Sequence, residues 1–486
     1  DMPDLDPIFY PHSIALVGAS NMPAKWGSFL LRHLMAGGYD LTSIFPVNPH
    51  EEKIHGLKAY PDLASIPKLV DLVIITTPAK LVAGILDQVA ACGIRHVVVI
   101  SSNFSEVGAE GEALERDLAE KARTHGLNMV GPNTMGVINT SCDMFAVGAP
   151  LQLAKGNISY VSQSGNVGAQ MLGWTMSQGI GFGKFVGSGN EATLHCEDYL
   201  EYFGEDDDTN LILAYIEGLE NGRRFMETAG RVCRRKPVIA LKSGRTEAGM
   251  RAAASHTGAL AGSDTIYDTA FAQCGIIRAE TSQEMLDLAK AFSRLPLPAG
   301  NRVGIVTLGG GWGVIATDAA AACGLELPPP DDEVTRLCDE FLPPFWSHGN
   351  PIDLVGNFST DIHLMIIEQM MRSPRYDSVI VLGTLGTGSL VGMSAMVSDP
   401  LSVGWDQANL KSFLVSLKEK NRSLMDSMVH LSREYAKPLI NVELQFIGEE
   451  ALVELEDHRG VIFPSLEKAA QVISKMLRYA RFLGRP

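Results

Sequence analysis

Three times along the chain a short, unbroken apolar run gives way to a glycine-bearing turn and then to helical spacing of apolar residues. The first run is Ser13-Ile14-Ala15-Leu16-Val17-Gly18. The second runs from Asn157 through Ile158-Ser159-Tyr160-Val161-Ser162 to Gln163-Ser164-Gly165, and the third from Arg302 through Val303-Gly304-Ile305-Val306-Thr307 to Leu308-Gly309-Gly310-Gly311. Runs of this kind suit strands covered on both faces, as in a parallel sheet between helix layers. Further buried-type runs follow each opening: Leu72–Ile75 and His96–Ile100, then Leu211–Ile216 and Pro237–Leu241, then Ser378–Leu382. The alternation of strand and helix predicts an α/β chain of three doubly wound domains. The segment after Asn139 and the proline-punctuated Leu295–Gly300 are the expected boundaries, giving domains over 1–140, 141–297 and 298–486. Gly388–Lys411 lacks periodicity and reads as a long loop or irregular insertion, and Ser465–Leu483 reads as an amphipathic helix with a basic end.

Composition narrows the functional classes. A formal net charge of −16 argues against nucleic acid or an anionic membrane surface as partner. No apolar run reaches membrane-spanning length. Seven cysteines lie singly along the chain. With an odd number, no close pair and no signal peptide, they read as reduced thiols in a soluble, cytoplasmic protein. His195-Cys196 are neighbours, but no further ligands accompany them, so no metal site is expected in the chain itself.

Gly18-Ala19-Ser20-Asn21 lies between a strand and a helix, where backbone N–H groups can cradle a phosphate. A dinucleotide site would end the next strand in an acidic residue for the ribose hydroxyl. Here that strand reads Ile44-Phe45-Pro46-Val47-Asn48-Pro49, and Gly27 comes too late for the glycine fingerprint. A nicotinamide dehydrogenase is thereby disfavoured, and a different adenine-containing cofactor fits better. The loops Thr76-Thr77-Pro78, Ser101-Ser102-Asn103-Phe104-Ser105-Glu106 and Gly131-Pro132-Asn133-Thr134-Met135-Gly136 also follow apolar strands. They gather at the carboxyl edge of the sheet, where open α/β folds bind ligands.

Of the twelve histidines, His256 has the most unusual setting. It sits in Arg251-Ala252-Ala253-Ala254-Ser255-His256-Thr257-Gly258-Ala259-Leu260-Ala261-Gly262, shortly after a buried strand. An ordinary histidine is a surface or core-satisfied residue. Small residues on both sides instead suit a loop that travels between partners. A phosphorylated imidazole needs preorganised donors for its oxygens, and helix N-termini supply them. Two glycine-bearing helix starts are present, at Ser164-Gly165 and at Gly310-Gly311. Glu217, at the end of a central strand, is the best carboxylate to orient the imidazole, although an ordinary strand-end charge is an equal alternative for that residue alone.

Taken together, Lys242 through Asp264, Val161–Gly168, Gly187-Ser188-Gly189-Asn190, Gly131-Pro132-Asn133 and Asn350-Pro351-Ile352-Asp353-Leu354 make the chain resemble the α subunits of ADP-forming acetyl-CoA synthetases, in the succinyl-CoA synthetase superfamily. The resemblance runs from about Asp6 to Leu483. It implies a Rossmann-like CoA-binding domain followed by two flavodoxin-like domains. It implies a phosphohistidine at His256 with Glu217 as its partner, and phosphate-facing helix starts at Ser164, Gly165, Gly310 and Gly311. Gly18, Ser20, Asn21, Asn48, Pro78, Ser101, Ser102, Glu106 and Asn133 become the CoA-side residues. The implied reaction is acyl-CoA, phosphate and ADP to carboxylic acid, CoA and ATP. ADP or ATP and Mg²⁺ would sit on an ATP-grasp β subunit, in an α₂β₂ assembly, because no such unit is recognisable in this chain.

Several positions depart from the family pattern. Asn103 stands for a glycine, Thr134-Met135 for Cys-Leu, His50 for a lysine and Gly311-Trp312 for Gly-Pro, and Glu191–Cys196 is less acidic than usual. A CoA-binding regulatory homologue without turnover is the competing reading. Intact His256, Glu217 and both glycine turns speak for the enzyme.

Overall fold

A computed structural model describes residues 3–176, 178–251, 264–357, 359–385, 407–443 and 460–484. It divides into two compact units, residues 1–176 with 180–285, and residues 177–179 with 286–486.

The first unit contains two large sheets. Strands β1 (Ile14–Val17), β2 (Ile44–Val47), β5 (Leu72–Ile75), β6 (His96–Val99) and β7 (Asn128–Val130) form a parallel sheet in the order β2-β1-β5-β6-β7. Between β2 and β5 a small antiparallel hairpin, β3 (Lys53–Ile54) and β4 (Leu57–Lys58), stands apart. Every residue of β1, β2 and β5 is buried, as expected of strands with helices on both faces. The second sheet is built from β8 (Gly136–Asn139), β9 (Met144–Val147), β10 (Lys155–Ser162), β11 (Phe182–Gly187), β12 (Leu211–Ile216), β13 (Val238–Lys242) and β14 (Ile277–Ala279). Its order is β14-β13-β12-β10-β11-β8-β9, parallel from β14 to β11, with β8 and β9 added antiparallel.

The β8–β9 hairpin bridges the two sheets. It hydrogen-bonds within the second sheet, yet β9 packs on the Trp26–Gly37 helix of the first, where His33 Nδ1 lies 2.9 Å from the Val147 carbonyl. Gly136 has φ +109, and a Cβ there would come within 2.0 Å of the Ala146 carbonyl oxygen, so only glycine fits. Within β11, an interior strand, Lys184 is 1% exposed and pairs with Asp206 at 2.7 Å.

The second unit holds β15 (Val303–Thr307), β16 (Ile352–Asp353), β17 (Ser378–Leu382), β18 (Leu439–Val442) and β19 (Ile462–Phe463), all parallel, in the order β16-β15-β17-β18-β19. Its core packs Trp346, Ile366, Ile367, Met370, Met425 and Met428 under that sheet. A helix covers Gln407–Glu434, so the end of the expected 388–411 loop is helical, and residues 388–406 lie outside the described residues. The Leu466–Phe482 helix is capped by Ser465, which accepts from the Lys468 N–H.

In each large sheet the first strand of its own parallel run, β1, β10 or β15, lies between the two strands that follow it in that run. The chain therefore winds first to one side and then to the other. Loops leaving the carboxyl ends of such neighbouring strands splay apart and leave a crevice.

Candidate functional site

At the first crevice Gly18 takes φ +88, and a Cβ there would fall 2.6 Å from Thr76 Oγ1. The Asn48 side chain donates to the Ala19 carbonyl at 2.8 Å and accepts from the His50 N–H at 2.9 Å. Ser20 Oγ accepts from the Met22 N–H, and Asn21 is held by the β3 region, donating to the Lys53 carbonyl and to Glu51. Pro78 caps the Ala79–Ala91 helix, and Ser101 Oγ donates to the Thr77 carbonyl. Thr77 Oγ1 is buried with no partner among the described residues. A buried orphan hydroxyl beside a glycine cradle fits a polar ligand group. His50 is exposed at this edge.

A cavity of about 850 Å³ lies between the loops of the first and second sheets. It gathers Ser102, Glu106, Asn133, Ser164, Gly165 and Glu217 of the expected site residues. Gly18, Ser20, Asn21, Asn48, Pro78 and Ser101 lie on the first sheet's carboxyl edge, outside that lining. Gly310 and Gly311 belong to the second unit and open its Gly310–Ala322 helix. His256 lies outside the described residues. Nearer its flanks, Arg245 Nε stands 3.8 Å from Asp264 Oδ1 and Arg278 also pairs with Asp264.

Two turns build the wall between the sheets. Asn190 N–H donates to the Pro132 carbonyl and Ala192 N–H to the Gly131 carbonyl. Asn190 Nδ2 lies at hydrogen-bonding distance from Glu106 Oε2 at 2.9 Å, Glu115 Oε2 at 2.6 Å and Ser105 Oγ at 3.1 Å. Burial alone would raise the Glu106 carboxyl. Donation by Asn190 and by nearby backbone N–H groups instead holds it below the usual carboxylate range. Asn103 has φ +74, which accounts for a glycine in the family pattern, since asparagine is the side chain that best tolerates this conformation.

Ser164 Oγ accepts from the Val167 N–H, and Gly165 and Asn166, the first two residues of the Gly165–Met176 helix, line the cavity. First-turn N–H groups have no acceptor within their own helix and mark its positive end. No lysine or arginine lines the cavity among the described residues, and this helix start brings positive potential to it. Glu217, half-buried, follows β12 across the crevice. The Tyr215 hydroxyl is pushed up by burial, and the charge of Glu217 adds to that shift.

Residue-by-residue reading missed Gln163, Asn190, Trp26 and Met135, all on the cavity wall. Gln163 lies within the Ser162–Gly165 turn, but nothing in a linear pattern says where an amide points. Trp26 lies against Gly148, where a Cβ would overlap its ring at 1.7 Å. Glu191 appeared only as a departure. Structurally it has φ +56, accepts from Ser188 Oγ at 2.6 Å, and is pushed up to about 7 by burial. The rest of that departure is absorbed in capping: His195 starts the Cys196–Glu205 helix in a box with Asp198, and Asp198 and Glu197 pair with Arg224. Trp312, third in its helix, keeps an N–H that proline would remove, adding one donor to that helix start.

No group of three or more potential metal ligands occurs among the described residues, and none of their helices is long and apolar enough to cross a membrane. Three family models match: a CoA binding domain over residues 12–140, a succinyl-CoA ligase like flavodoxin domain over 155–292 and a ligase-CoA domain over 303–399. The α subunit of ADP-forming acetate–CoA ligase I from Pyrococcus furiosus is 42% identical over 483 residues, 98% of each chain. The α subunit of ligase II from the same organism is 40% identical over 383 residues, 79% of this chain and 83% of that one. Acetyl-coenzyme A synthetase 1 of Candidatus Korarchaeum cryptofilum, solved with phosphate and ADP, superposes with a TM-score of 0.86 at 34% identity, covering 99% of this chain and 98% of that one. These relatives do not favour a regulatory homologue without turnover. With a CoA-binding α/β domain followed by flavodoxin-like domains, and this likeness over its whole length, the chain belongs to the α-subunit family of ADP-forming acetate–CoA ligases, which are acid–thiol ligases.

Proposed function

We propose that this chain interconverts an acyl-CoA and an acyl phosphate and carries the phosphoryl group on His256. A phosphate oxygen attacks the thioester carbonyl, the C–S bond breaks, and CoA leaves as the thiol with the proton of the phosphate. An imidazole nitrogen of His256 then attacks phosphorus, and the P–O bond to the acyl group breaks to release the carboxylate. Transfer to ADP follows on an ATP-grasp β subunit that also holds Mg²⁺, in an α₂β₂ assembly. Relatives named as α subunits support that partner. The proposed domains are 1–140, 141–297 and 298–486, and the proposed location is the cytoplasm.

One observation carries the reading: Glu217 and the Ser164-Gly165 helix start share a single cavity with Ser102, Glu106 and Asn133 of the CoA-side loops. Glu217 accepts the N–H of one imidazole nitrogen and leaves the other nucleophilic. Gly165 and Asn166 N–H groups receive the phosphoryl oxygens, an interaction worth up to ~2 kcal/mol at a partly buried helix end. In this reading Gly18, Ser20, Asn21, Asn48, Pro78 and Ser101 hold the nucleotide part of CoA, and Gly310-Gly311 are the second phosphate-facing helix start.

Incubation with acetyl-CoA and radiolabelled inorganic phosphate tests it. Wild type should acquire an acid-labile, base-stable label, and His256→Ala should acquire none. Label retained by His256→Ala would remove the proposal.

A further inference from the structure

The cavity wall carries an amide with all its hydrogen-bonding capacity engaged. Gln163 Oε1 accepts from the Glu217 N–H at 2.6 Å and from the Gly218 N–H at 3.1 Å. Its Nε2 donates to the Gly218 carbonyl at 2.8 Å and to Glu191 Oε2 at 3.0 Å. An amide offers two acceptor positions and two donors, and all four are used here. Glu191 decides which way the amide faces. Its carboxylate accepts from Ser188 Oγ and from the Gln163 NH₂. A flipped amide would set that NH₂ against two backbone donors and its oxygen against two acceptors. One side chain thus joins the start of the Gly165 helix, the Glu217-Gly218 turn after β12, and the Ser188–Glu191 turn after β11.

We propose that Gln163 is a positioning residue that acts through Glu217, with Glu191 fixing the orientation of its amide. The inference rests on the reading in which Glu217 meets the imidazole of His256. Strand β12 ends at Ile216, whose carbonyl still accepts from the Ser243 N–H at 3.0 Å, and beyond that bond no strand pairing holds the backbone that aims Glu217. The paired N–H groups of Glu217 and Gly218 are instead held by one oxygen anchored on the helix start that receives the phosphoryl group. The clamp therefore fixes the distance between the carboxylate and the anion site, the two features between which the imidazole must fit. Misplacement of a reacting group by about 1 Å costs about a hundredfold in rate.

Three full-length variants test the clamp, with single-turnover labelling from acetyl-CoA and radiolabelled phosphate as readout. Gln163→Ala should slow labelling at saturation about tenfold to a hundredfold while the half-saturating acetyl-CoA concentration moves by less than about threefold. A variant labelling at the wild-type rate would overturn the inference. Should Gln163→Ala fail to fold, as read by thermal melting, Gln163→Glu decides. Its carboxyl keeps both acceptor contacts but faces Glu191, so the pair needs one shared proton. Glu197, Cys196 and Tyr199 also interact with Glu191, Asp198 acts on Cys196 and Tyr199, and Glu217, Glu220 and His195 face the same cavity. The ratio of Gln163→Glu to wild-type rate should therefore fall about tenfold or more from about pH 6 to about pH 8, and a flat ratio would overturn the clamp. Glu217→Gln separates the two levels. If it labels like wild type, the underlying reading fails. If it is silent while the Gln163 variants label normally, only the clamp fails.

Discussion

The turn after β10 and the turn after β15 are built to one plan and wired differently. Each follows a strand that sits between its two successors, carries glycine, and opens a helix whose first N–H groups face outward from the sheet edge. After β10 the turn is enclosed. Gly165 is pressed so close to Met135 that a Cβ would come 2.8 Å from the Met135 Cβ, and Gln163, Glu191 and Glu217 form a connected polar wall. After β15 the turn is open. Among the described residues Gly311 has nothing within 4 Å of a would-be Cβ, and Trp312, Val314 and Ile315 are exposed. Asp353 Oδ2 lies 3.0 Å from the Cβ position of Gly310, and that carboxylate already accepts from the Val355 N–H. Topology thus delivers a positive helix end to the same place in both folds. Side chains decide whether that end is packed against a connected polar wall or lies beside a lone carboxylate.

The largest effect that sharpens this contrast is expected from an added methyl at each turn. Gly165→Ala should destabilise the chain by about 1–3 kcal/mol through overpacking against Met135 and slow phosphohistidine formation at least about tenfold. Gly311→Ala should instead stabilise by about 0.5–1 kcal/mol, because it removes a helical glycine without a clash. Urea denaturation of both would break the comparison if the two signs agreed.

A second difference concerns buried charge. Glu191 has a folded-state value of about 7, above its ordinary range. From pH ~4.5 to ~7 the folded chain holds a proton that the unfolded chain has released, so this group's contribution to stability falls as pH rises through that window. Glu191→Gln removes the dependence. Relative to wild type, its stability at pH ~8 should exceed that at pH ~5 by about 2 kcal/mol. Parallel pH profiles for the two proteins would mean that Glu191 is not desolvated as its surroundings indicate.

The smallest effect is expected at the open turn. Asp353 lies beside the positive end of the Gly310 helix, so Asp353→Asn should cost about 0.3–1 kcal/mol of stability at low salt and little at high salt. The same change should tighten inorganic phosphate binding by the full-length chain, measured calorimetrically. Unchanged binding would show that Asp353 does not compete for that helix end.

Much of the fold was legible because the strands are short, apolar on both faces and followed by turn residues such as glycine or proline. Ile14–Val17, Leu72–Ile75 and Ser378–Leu382 form central parallel strands where the pattern places them. The β8–β9 hairpin was not legible, because Gly136–Asn139 and Met144–Val147 owe their pairing to contacts with β11 and with the Trp26 helix. At the site, Ser164, Gly165 and Glu217 could be named from strand ends and glycines. Gln163 and Glu191 could not be given roles, since they are joined by hydrogen bonds between residues 28 positions apart.

The linear chain by itself determined the strand-and-helix alternation, the glycine turns and the type of chemistry, because these rest on periodicity and on backbone conformations that particular residues alone can take. Tertiary structure alone decided which of two similar helix starts is enclosed, how Glu191 is desolvated, and that one amide holds the backbone at Glu217. Those properties depend on what surrounds a group in space, and the surroundings come from distant segments that no local pattern encodes.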